Sequence, residues 1–184
     1  LMGVEAVPAN LRTARLVLRP HVPGDYESSY ALWSDPATTS FIGGRPFTRE
    51  ECWARLLRYI GLWPALGYGY WAVFECDTGC FVGEVGLADF RRDIYPPLDA
   101  PEAGWAIVPS AQGRGYGTEA ASAALGWADS VLGAARTLCI ISPSNRISGR
   151  VATKAGFCRC RSARYQGKSI DVFERHRRES RGCP

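Results

Sequence analysis

The stretch SAQGRGYGTEA, residues 110–120, places glycine at every second position, Gly113, Gly115 and Gly117, directly before an alanine-rich segment. Glycine in an ordered element costs about 0.5–1 kcal/mol relative to alanine, so a compensating interaction is expected. The stretch lies between a predicted strand and a predicted helix. Because a helix N-terminus presents free N–H groups and a partial positive charge, the pattern indicates a phosphate or pyrophosphate site. The alternative is a tight turn without a ligand.

Two common phosphate-binding motifs do not fit this stretch. The Walker motif requires Gly-Lys-Ser/Thr, and no lysine is present here. The dinucleotide fingerprint requires G-x-G-x-x-G and an acidic residue after the next strand. Here the spacing is GxGxG, and the next strand, RTLCIIS, is followed by Pro143 without an acid. The pattern that fits is Q-x-x-G-x-G, formed by Gln112, Gly115 and Gly117.

The composition describes one folded domain. The chain has 184 residues, of which 46% are apolar and 22% charged, values normal for a protein with a sizeable core. No apolar run approaches the roughly 20 residues that span a bilayer. The start, LMGVEAVPAN, lacks the pattern of a secretory signal. We therefore expect a cytoplasmic protein without a membrane partner.

The cysteines and the charges exclude further classes. The seven cysteines follow no zinc pattern, so we expect reduced thiols and no metal. The net charge is +4, and the tail RHRRESRGCP, residues 175–184, holds four arginines. The rest of the chain is nearly balanced, so no DNA partner is expected. We expect this basic tail to be disordered; an RNA- or ribosome-associated role for it is the alternative.

Alternation, turn signals and caps predict the order β-α-α-β-β-β-α-β-α-β-β. Thr48 and Glu51 form a capping box before one of the helices. The fold class is therefore α/β (α+β), with a mixed, mostly antiparallel seven-stranded sheet and helices on both faces. The helices are predicted over 24–35, 49–64, 117–132 and 145–156.

The glycine motif resembles the pyrophosphate loop of the GNAT superfamily of N-acetyltransferases. PEAGWAIVPSAQGRGYGTEA (101–120) looks like the fourth strand, loop and third helix of that family, and NRISGRVATKAGF (145–157) looks like its fourth helix. LRTARLVLRP (11–20) and GEVGL (83–87) are similar to the branch that includes ribosomal-protein N-terminal acetyltransferases. The resemblance implies a single bacterial-type GNAT domain over 11–174, with the sheet splayed between its fourth and fifth strands.

The resemblance implies an acetyl-CoA-dependent N-acetyltransferase that moves an acetyl group to a primary amine by direct attack. Acetyl-CoA, as cosubstrate, would lie in the splay with its pyrophosphate on the N–H groups of 114–118. A backbone N–H of Ile107 or Val108 would bind the thioester oxygen, and Asn145 and Ser148 would contact the cofactor arm. The implied cofactor-binding residues are Ile107, Val108, Gln112, Gly113, Arg114, Gly115, Tyr116, Gly117, Thr118, Asn145 and Ser148.

The candidate general base is Glu102, where this branch often carries a glutamate beside the acceptor; the alternative is a solvated strand end. A carboxylate can take the proton that the amine must lose. Glu84 is the second choice. The tyrosine that the family often uses to protonate the leaving thiolate is replaced by Ala152. Ser148, Tyr165 or a water would then be the acid, or none is needed.

The acceptor is expected to enter over the segments 36–47 and 91–101, and it stays open between a peptide N-terminus, a polyamine-like metabolite and an amine drug. Ala152 motivates a second hypothesis, a non-catalytic acyl-CoA-binding module or sensor. The protein is expected to be a monomer or a homodimer. The expected acceptor-facing residues are Phe41 and Phe47 as an apolar wall, Asp93, Asp99 and Glu102 as attraction for an ammonium group, and Arg91 and Arg92, which partly cancel that charge.

Overall fold

The computed structural model describes residues 10–177, and its centre is an eight-stranded sheet in the order β1-β2-β3-β4-β5-β6-β8-β7. Only β5 and β6 pair in parallel, and the other neighbours are antiparallel. The strands are β1 Leu11–Arg12, β2 Leu16–Pro20, β3 Tyr70–Glu75, β4 Phe81–Ala88, β5 Glu102–Ile107, β6 Arg136–Ile141, β7 Cys158–Tyr165 and β8 Lys168–His176.

The predicted fold class is confirmed, but the predicted count of seven strands is wrong by one. The additional strand is β1, in which Leu11 pairs with Leu18 and Arg12 pairs with Val17. Two residues are too few to show the alternation from which strands are predicted. The fourth and fifth strands of the prediction are therefore β5 and β6.

Five α-helices accompany the sheet in the described residues, and the capping box of Thr48 and Glu51 is confirmed at the start of α3. Residues 36–39, predicted as part of a loop, form a short helix because Asp35 caps it with a bond from Ala37 N. The last predicted helical turn of α4 is a π-helical turn, Ala128–Leu132. The helices are α1 Tyr26–Trp33, α2 Pro36–Thr39, α3 Arg49–Leu66, α4 Tyr116–Trp127 and α5 Arg146–Lys154.

The two faces of the sheet carry different residues because side chains alternate along each strand. Val85 and Leu87 of β4 belong to the main apolar core, which they share with α4. Ala88, on the opposite face, packs with Tyr59 of α3 and Tyr70 of β3, whose rings stack at 4.1 Å. The face covered by α1 and α3 is the one that carries the candidate catalytic carboxylates.

The C-terminal strand runs beyond the predicted domain end at 174. Arg175 is 7% exposed and pairs with Asp129 at 2.5 Å, so residues 175 and 176 belong to the folded domain. Arg177 N donates to Ala135 O at 2.9 Å, and residues 178–184 of the predicted tail lie outside the described residues. Within residues 10–177, no helix has both the length and the apolar character to cross a membrane.

Gly86 of β4 tests how closely the sheet face is packed. A Cβ added there would lie 2.5 Å from the carbonyl oxygen of Gly69 and 2.6 Å from Cγ of Tyr70. Overpacking of this kind typically costs about 1–3 kcal/mol, so we expect Gly86→Ala to lower the free energy of unfolding in urea by that amount. Gly126→Ala is the control, because an added Cβ in that helix meets nothing within 4 Å. It should stabilise by about 0.5–1 kcal/mol, and equal effects of the two changes would contradict this packing.

Asp25 makes the stability depend on pH. Its carboxylate accepts bonds from Arg19 at 2.6 and 2.8 Å and from Val22 N at 2.9 Å. Burial opposes the effect, but these bonds hold the pKa of Asp25 well below its ordinary value of 3.8. Because the pKa is lowered in the folded state, the stabilisation is complete above the ordinary pKa and is lost as the pH falls below it.

We therefore expect Asp25→Asn to flatten the acid side of the stability profile, measured as Tm between neutral pH and about pH 3. The control is Glu50→Gln, an exposed position without an ion pair in the described part of the chain, which should leave the profile unchanged. An unaltered acid limb in Asp25→Asn would show that other carboxylates control it.

Candidate active site

The glycine stretch forms the connection from β5 to α4. A turn of 3-10 helix, Pro109–Ala111, follows β5, and α4 begins at Tyr116 with Gly115 as its N-cap. Gly113 and Gly115 have φ of +77° and +84°, a left-handed backbone conformation that residues other than glycine rarely adopt. These two glycines are therefore required by the shape of the loop itself.

The N-terminus of α4 presents unpaired backbone donors. Glu119 N donates to Gly115 O at 3.1 Å and is the first helical hydrogen bond. The N–H groups of Tyr116, Gly117 and Thr118 precede it and have no acceptor within the helix. Together with the positive end of the helix dipole, they have the chemistry of an anion site, as the glycine pattern predicts.

Gln112 holds this loop against the end of β5. Its Nε2 donates to the carbonyl oxygen of Ile107 at 3.0 Å. Nε2 of Gln112 is therefore engaged with the backbone, which gives the glutamine of the motif a structural task in this loop.

Glu75, at the end of β3, fixes two further residues of the loop. It pairs with Arg114 Nη2 at 2.7 Å and accepts a hydrogen bond from the hydroxyl of Tyr116. The Tyr116 hydroxyl, with Thr78 and Arg114, lowers the pKa of Glu75. Tyr116 is 2% exposed, so its side chain is not available to a ligand.

Arg15 braces the same loop from the start of β2. Its Nη1 donates to the carbonyl oxygen of Arg114 at 2.9 Å, and its guanidinium pairs with Glu119 at 2.6 Å. Neither Arg15 nor Glu75 is predicted from the sequence, because each lies far from the glycines along the chain. No local motif signals these contacts.

The predicted splay between the two parallel strands is confirmed. β5 and β6 share a single register pair, Glu102 with Leu138, and Leu138 N donates to Pro101 O at 3.0 Å. Beyond this pair the strands separate, while β6 remains paired with β8 from Arg136 to Ile141. The gap opens toward the end of β5, where the glycine loop begins.

The structure separates the two candidate donors for a thioester oxygen. Val108 N donates to Val82 O at 3.0 Å, so its N–H is already used by the neighbouring β4 strand, and the assignment of Val108 as a donor is corrected. N–H groups alternate in direction along an antiparallel pair. The N–H of Ile107 therefore points away from β4, toward the gap.

Asn145 and Ser148 lie at the start of α5, which follows β6. Asn145 Oδ1 accepts a hydrogen bond from Ser148 N at 3.1 Å, so Asn145 caps the helix. Both side chains are half-buried. Ala152, one turn further along α5, is fully buried and carries no group that could act as an acid.

Glu84 is engaged in the core between β4 and α1. It has no exposed surface, and its oxygens accept hydrogen bonds from Ser29 Oγ at 2.7 Å and Trp33 Nε1 at 2.8 Å. His21 Nε2 lies 3.8 Å away. These contacts give Glu84 a structural role. Its assignment as the second candidate base is corrected, because its carboxylate is buried and an acceptor amine could not reach it.

Glu102 lies on the same sheet face and borders a cavity of about 320 Å³. Its carboxylate accepts two bonds from Arg92, at 2.6 and 2.8 Å. Arg92 also donates to the hydroxyl of Tyr165 at 3.0 Å and packs against the ring of Phe90 at 4.6 Å. Burial would lower the pKa of Arg92, but the bonds that it donates to Glu102 raise it instead. Glu102 thus borders the cavity within an ion pair, and its role as base stays a prediction.

The other residues expected around the acceptor are more dispersed. Phe47 stacks on Trp33 with ring centres 5.6 Å apart, whereas Phe41 is 43% exposed. Asp99 pairs with Arg136 at 2.5 Å. Of the three carboxylates expected there, only Asp93 is exposed and without an ion pair to another of residues 10–177. The expected acidic entrance is therefore largely neutralised.

Tyr70 lies on the sheet face of the candidate carboxylates in an arrangement that sequence reasoning missed. Its ring lies over Gly86, and a Cβ added at Gly104 of β5 would overlap its hydroxyl. The two glycines thus let Tyr70 lie across the sheet and reach the strand that borders the gap. Among the described residues the hydroxyl has no hydrogen-bond partner, and burial raises its pKa. The glycines of GEVGL and EAGW were the available signal.

Comparisons with known proteins agree with this geometry. A model of the Acetyltransferase (GNAT) domain family matches residues 15–158. A GNAT-family acetyltransferase structure from Bordetella pertussis is 30% identical, with a TM-score of 0.79 over 91% of this chain and 99% of that chain. An N-acetyltransferase from Bacillus subtilis, YoaA, whose function is uncharacterised, is 26% identical over 80% of this chain and 81% of its own length.

A third comparison concerns a protein with a bound cofactor. The structure of a ribosomal L7/L12 alpha-N-protein acetyltransferase in complex with coenzyme A has a TM-score of 0.74 over 91% of this chain and 98% of that chain. At 15% identity this likeness shows the fold alone. The glycine loop at the N-terminus of α4, the splayed strands and the match over most of the chain lead to one conclusion: this protein belongs to the GNAT family and is an N-acetyltransferase.

Proposed function

We propose that the protein transfers the acetyl group of acetyl-CoA directly to a primary amine, on a small molecule or a peptide. One observation supports this proposal: the free N–H groups at the start of α4 and the unpaired edge of β5 lie close to each other. The free N–H groups at the start of α4 lie at the end of β5, where β5 has parted from β6. The coenzyme A held by the ribosomal L7/L12 acetyltransferase supports the same ligand here.

The residues present fit acetyl-CoA. The N–H groups of 114–118 suit a pyrophosphate, and a Cβ added at Gly113 would meet nothing within 4 Å, so the loop surface is open. The cofactor arm would lie along 105–108, with Asn145 and Ser148 on its other side. When bound, acetyl-CoA supplies an activated acetyl thioester.

The N–H of Ile107 would bind the thioester oxygen. Charge develops on that oxygen during attack, and one such donor is worth about 3–4 kcal/mol in other enzymes. We assign this role to Ile107 rather than Val108, whose N–H is bonded to Val82 O.

Glu102 is the proposed general base. Its carboxylate is held by Arg92 and borders the cavity, where it would accept a proton from the acceptor ammonium or from an intervening water. Ala152 provides no acid, but a thiol pKa of about 8.5 makes the coenzyme A thiolate a tolerable leaving group.

Cofactor binding is tested at Gly115, where φ is +84°. Gly115→Asp adds a negative charge beside the phosphate position, and we expect calorimetry to show no measurable coenzyme A binding. Gly115→Ala is the matched control, because it carries the same backbone strain without the charge, and it should bind more weakly than the wild type but measurably. Circular dichroism checks that both variants fold. Equal coenzyme A binding by the two variants would show that the loop does not hold phosphate.

The base is tested by initial rates against pH. We expect Glu102→Gln to lower turnover at neutral pH by roughly 10²–10⁴-fold, while coenzyme A affinity is retained. The loss should shrink as the pH rises toward the pKa of the amine, where free amine needs no base. The control is Asp171→Asn, another carboxylate paired with an arginine, Arg159 at 2.8 Å, on the far strands of the sheet.

Two results would overturn parts of this mechanism. A Glu102→Gln enzyme with a normal rate at neutral pH would exclude Glu102 as base. Binding of acetyl-CoA without release of free thiol, for any amine in a broad screen, would instead favour the non-catalytic acyl-CoA-binding module.

A further inference from the structure

We propose that the acceptor is a small amine that carries a carboxylate, with Arg58 and Arg92 binding the carboxylate while Glu102 meets the amine. This inference rests on the proposed acetyl transfer, and it names the substrate class of the same site. It replaces the acidic, ammonium-attracting entrance expected from the sequence.

The cavity beside Glu102 has the size and position for a small acceptor. Its volume of about 320 Å³ lies at the lower end of the range for small-molecule sites. Phe90, Arg92 and Leu98 line it together with Glu102. A guanidinium and a carboxylate thus border the same space, on the sheet face that also carries the hydroxyl of Tyr70.

Arg58 brings a second cation to the ring of Phe90, a residue that lines the cavity. Its guanidinium lies 5.0 Å from the centre of the Phe90 ring, and Arg92 lies 4.6 Å from the same ring centre. No carboxylate in residues 10–177 is within ion-pair distance of Arg58. Burial lowers the pKa of Arg58; Tyr59 acts in the opposite direction, and the like charge of Arg55 lowers the pKa further.

Arg55, one turn before on α3, extends the positive region. It packs over the ring of Trp33 at 3.9 Å and donates to the hydroxyl of Tyr59 at 2.7 Å. Its Nε has no hydrogen-bond partner, and it makes no ion pair in the described part of the chain. Arg55 therefore has no short-range ion pair there, while the charge of the buried Glu84 acts on it.

Most carboxylates around the entrance are already engaged. Glu102 is paired with Arg92, Asp89 with Arg91 at 3.3 Å, and Asp99 with Arg136 at 2.5 Å. The charge of the buried Glu84 acts on Arg55. Arg58 is therefore the guanidinium beside Phe90 that no carboxylate in residues 10–177 pairs at short range, which favours an anionic group there.

The geometry of an amine with a nearby carboxylate matches this arrangement. Guanidinium groups bind carboxylates through paired, charge-assisted hydrogen bonds. A substrate carboxylate at Arg58 and the outer edge of Arg92 would leave its amine next to Glu102. A polyamine or a neutral amine offers no anion to Arg58, which would then stay unpaired.

The test compares the standard L-amino acids with their C-terminal amides, and with spermidine, as acceptors, read out as free coenzyme A thiol. Each acid and its amide share the amine and the side chain and differ in the anion. We expect kcat/KM to be at least about tenfold higher for the preferred acid than for its amide, and spermidine to be a poor acceptor, as expected for a lost charge-assisted bond.

Arg58→Gln should lower kcat/KM for the acid by roughly 10–100-fold, chiefly through KM, and should change the rate with the amide by less than about threefold. Differences in amine basicity cancel in the ratio between the two enzymes. Arg49→Gln is the matched control on the same helix; Arg49 pairs with Glu27 at 3.1 Å, outside the cavity, and the change should alter neither substrate.

The outcomes separate the two proposals. Rapid acetylation of spermidine or of the amides, with no effect of Arg58→Gln on acid selectivity, would overturn the carboxylate site and leave acetyl transfer intact. Absence of thiol release with every amine would overturn the proposed function, and the substrate inference would fall with it. A loss in Arg58→Gln that is equal for acid and amide would show a structural role for Arg58 only.

Discussion

The separation of β5 from β6 is the constraint on which the rest of the site depends. Backbone N–H and C=O groups inside a sheet are almost always paired, yet these strands share only the pair Glu102 with Leu138. The sheet stays intact because β5 is paired with β4 along its length and β6 is paired with β8. The open edge of β5 then leads straight into the loop before α4, so that two sets of backbone donors meet at one end of the gap.

That loop is held in place by residues from distant parts of the sheet. Glu75 binds Arg114 and Tyr116, and Arg15 binds the carbonyl oxygen of Arg114 and the side chain of Glu119. A loop ordered before its ligand arrives loses less conformational freedom on binding. The side chains that surround the glycines therefore serve mainly to orient backbone, and the backbone is left to meet the ligand.

The opposite sheet face is organised by charge. Glu84 is enclosed by Ser29 and Trp33, while Glu102 borders a cavity and is held by Arg92. The two carboxylates look equivalent in the sequence, as each lies on a strand with apolar neighbours. Their surroundings assign Glu84 to the core and Glu102 to the cavity, because α1 covers Glu84, and not Glu102, with hydrogen-bond donors.

How much was predictable depends on whether the signal is local. The capping box at Thr48, the asparagine cap of α5 and the glycines before α4 are short-range patterns, and they indicate the helices, the fold class and the anion site. The splay of the sheet and the choice of Glu102 as candidate base were predicted from the family resemblance, and not from a local pattern. Strand β1 was missed because two residues carry no periodicity.

By itself, the sequence determined the order of strands and helices, the glycine loop and the kind of ligand that such a loop accepts, since propensities, caps and positive φ act over a few residues. Only the tertiary structure decided which donors and carboxylates are free. The N–H of Val108 donates to the carbonyl oxygen of Val82, and Glu102 is paired with Arg92. Arg58 has no carboxylate within ion-pair distance in residues 10–177. Hydrogen bonds and ion pairs join residues that are distant along the chain, so the charge of the cavity appears only when the sheet and α3 are packed together.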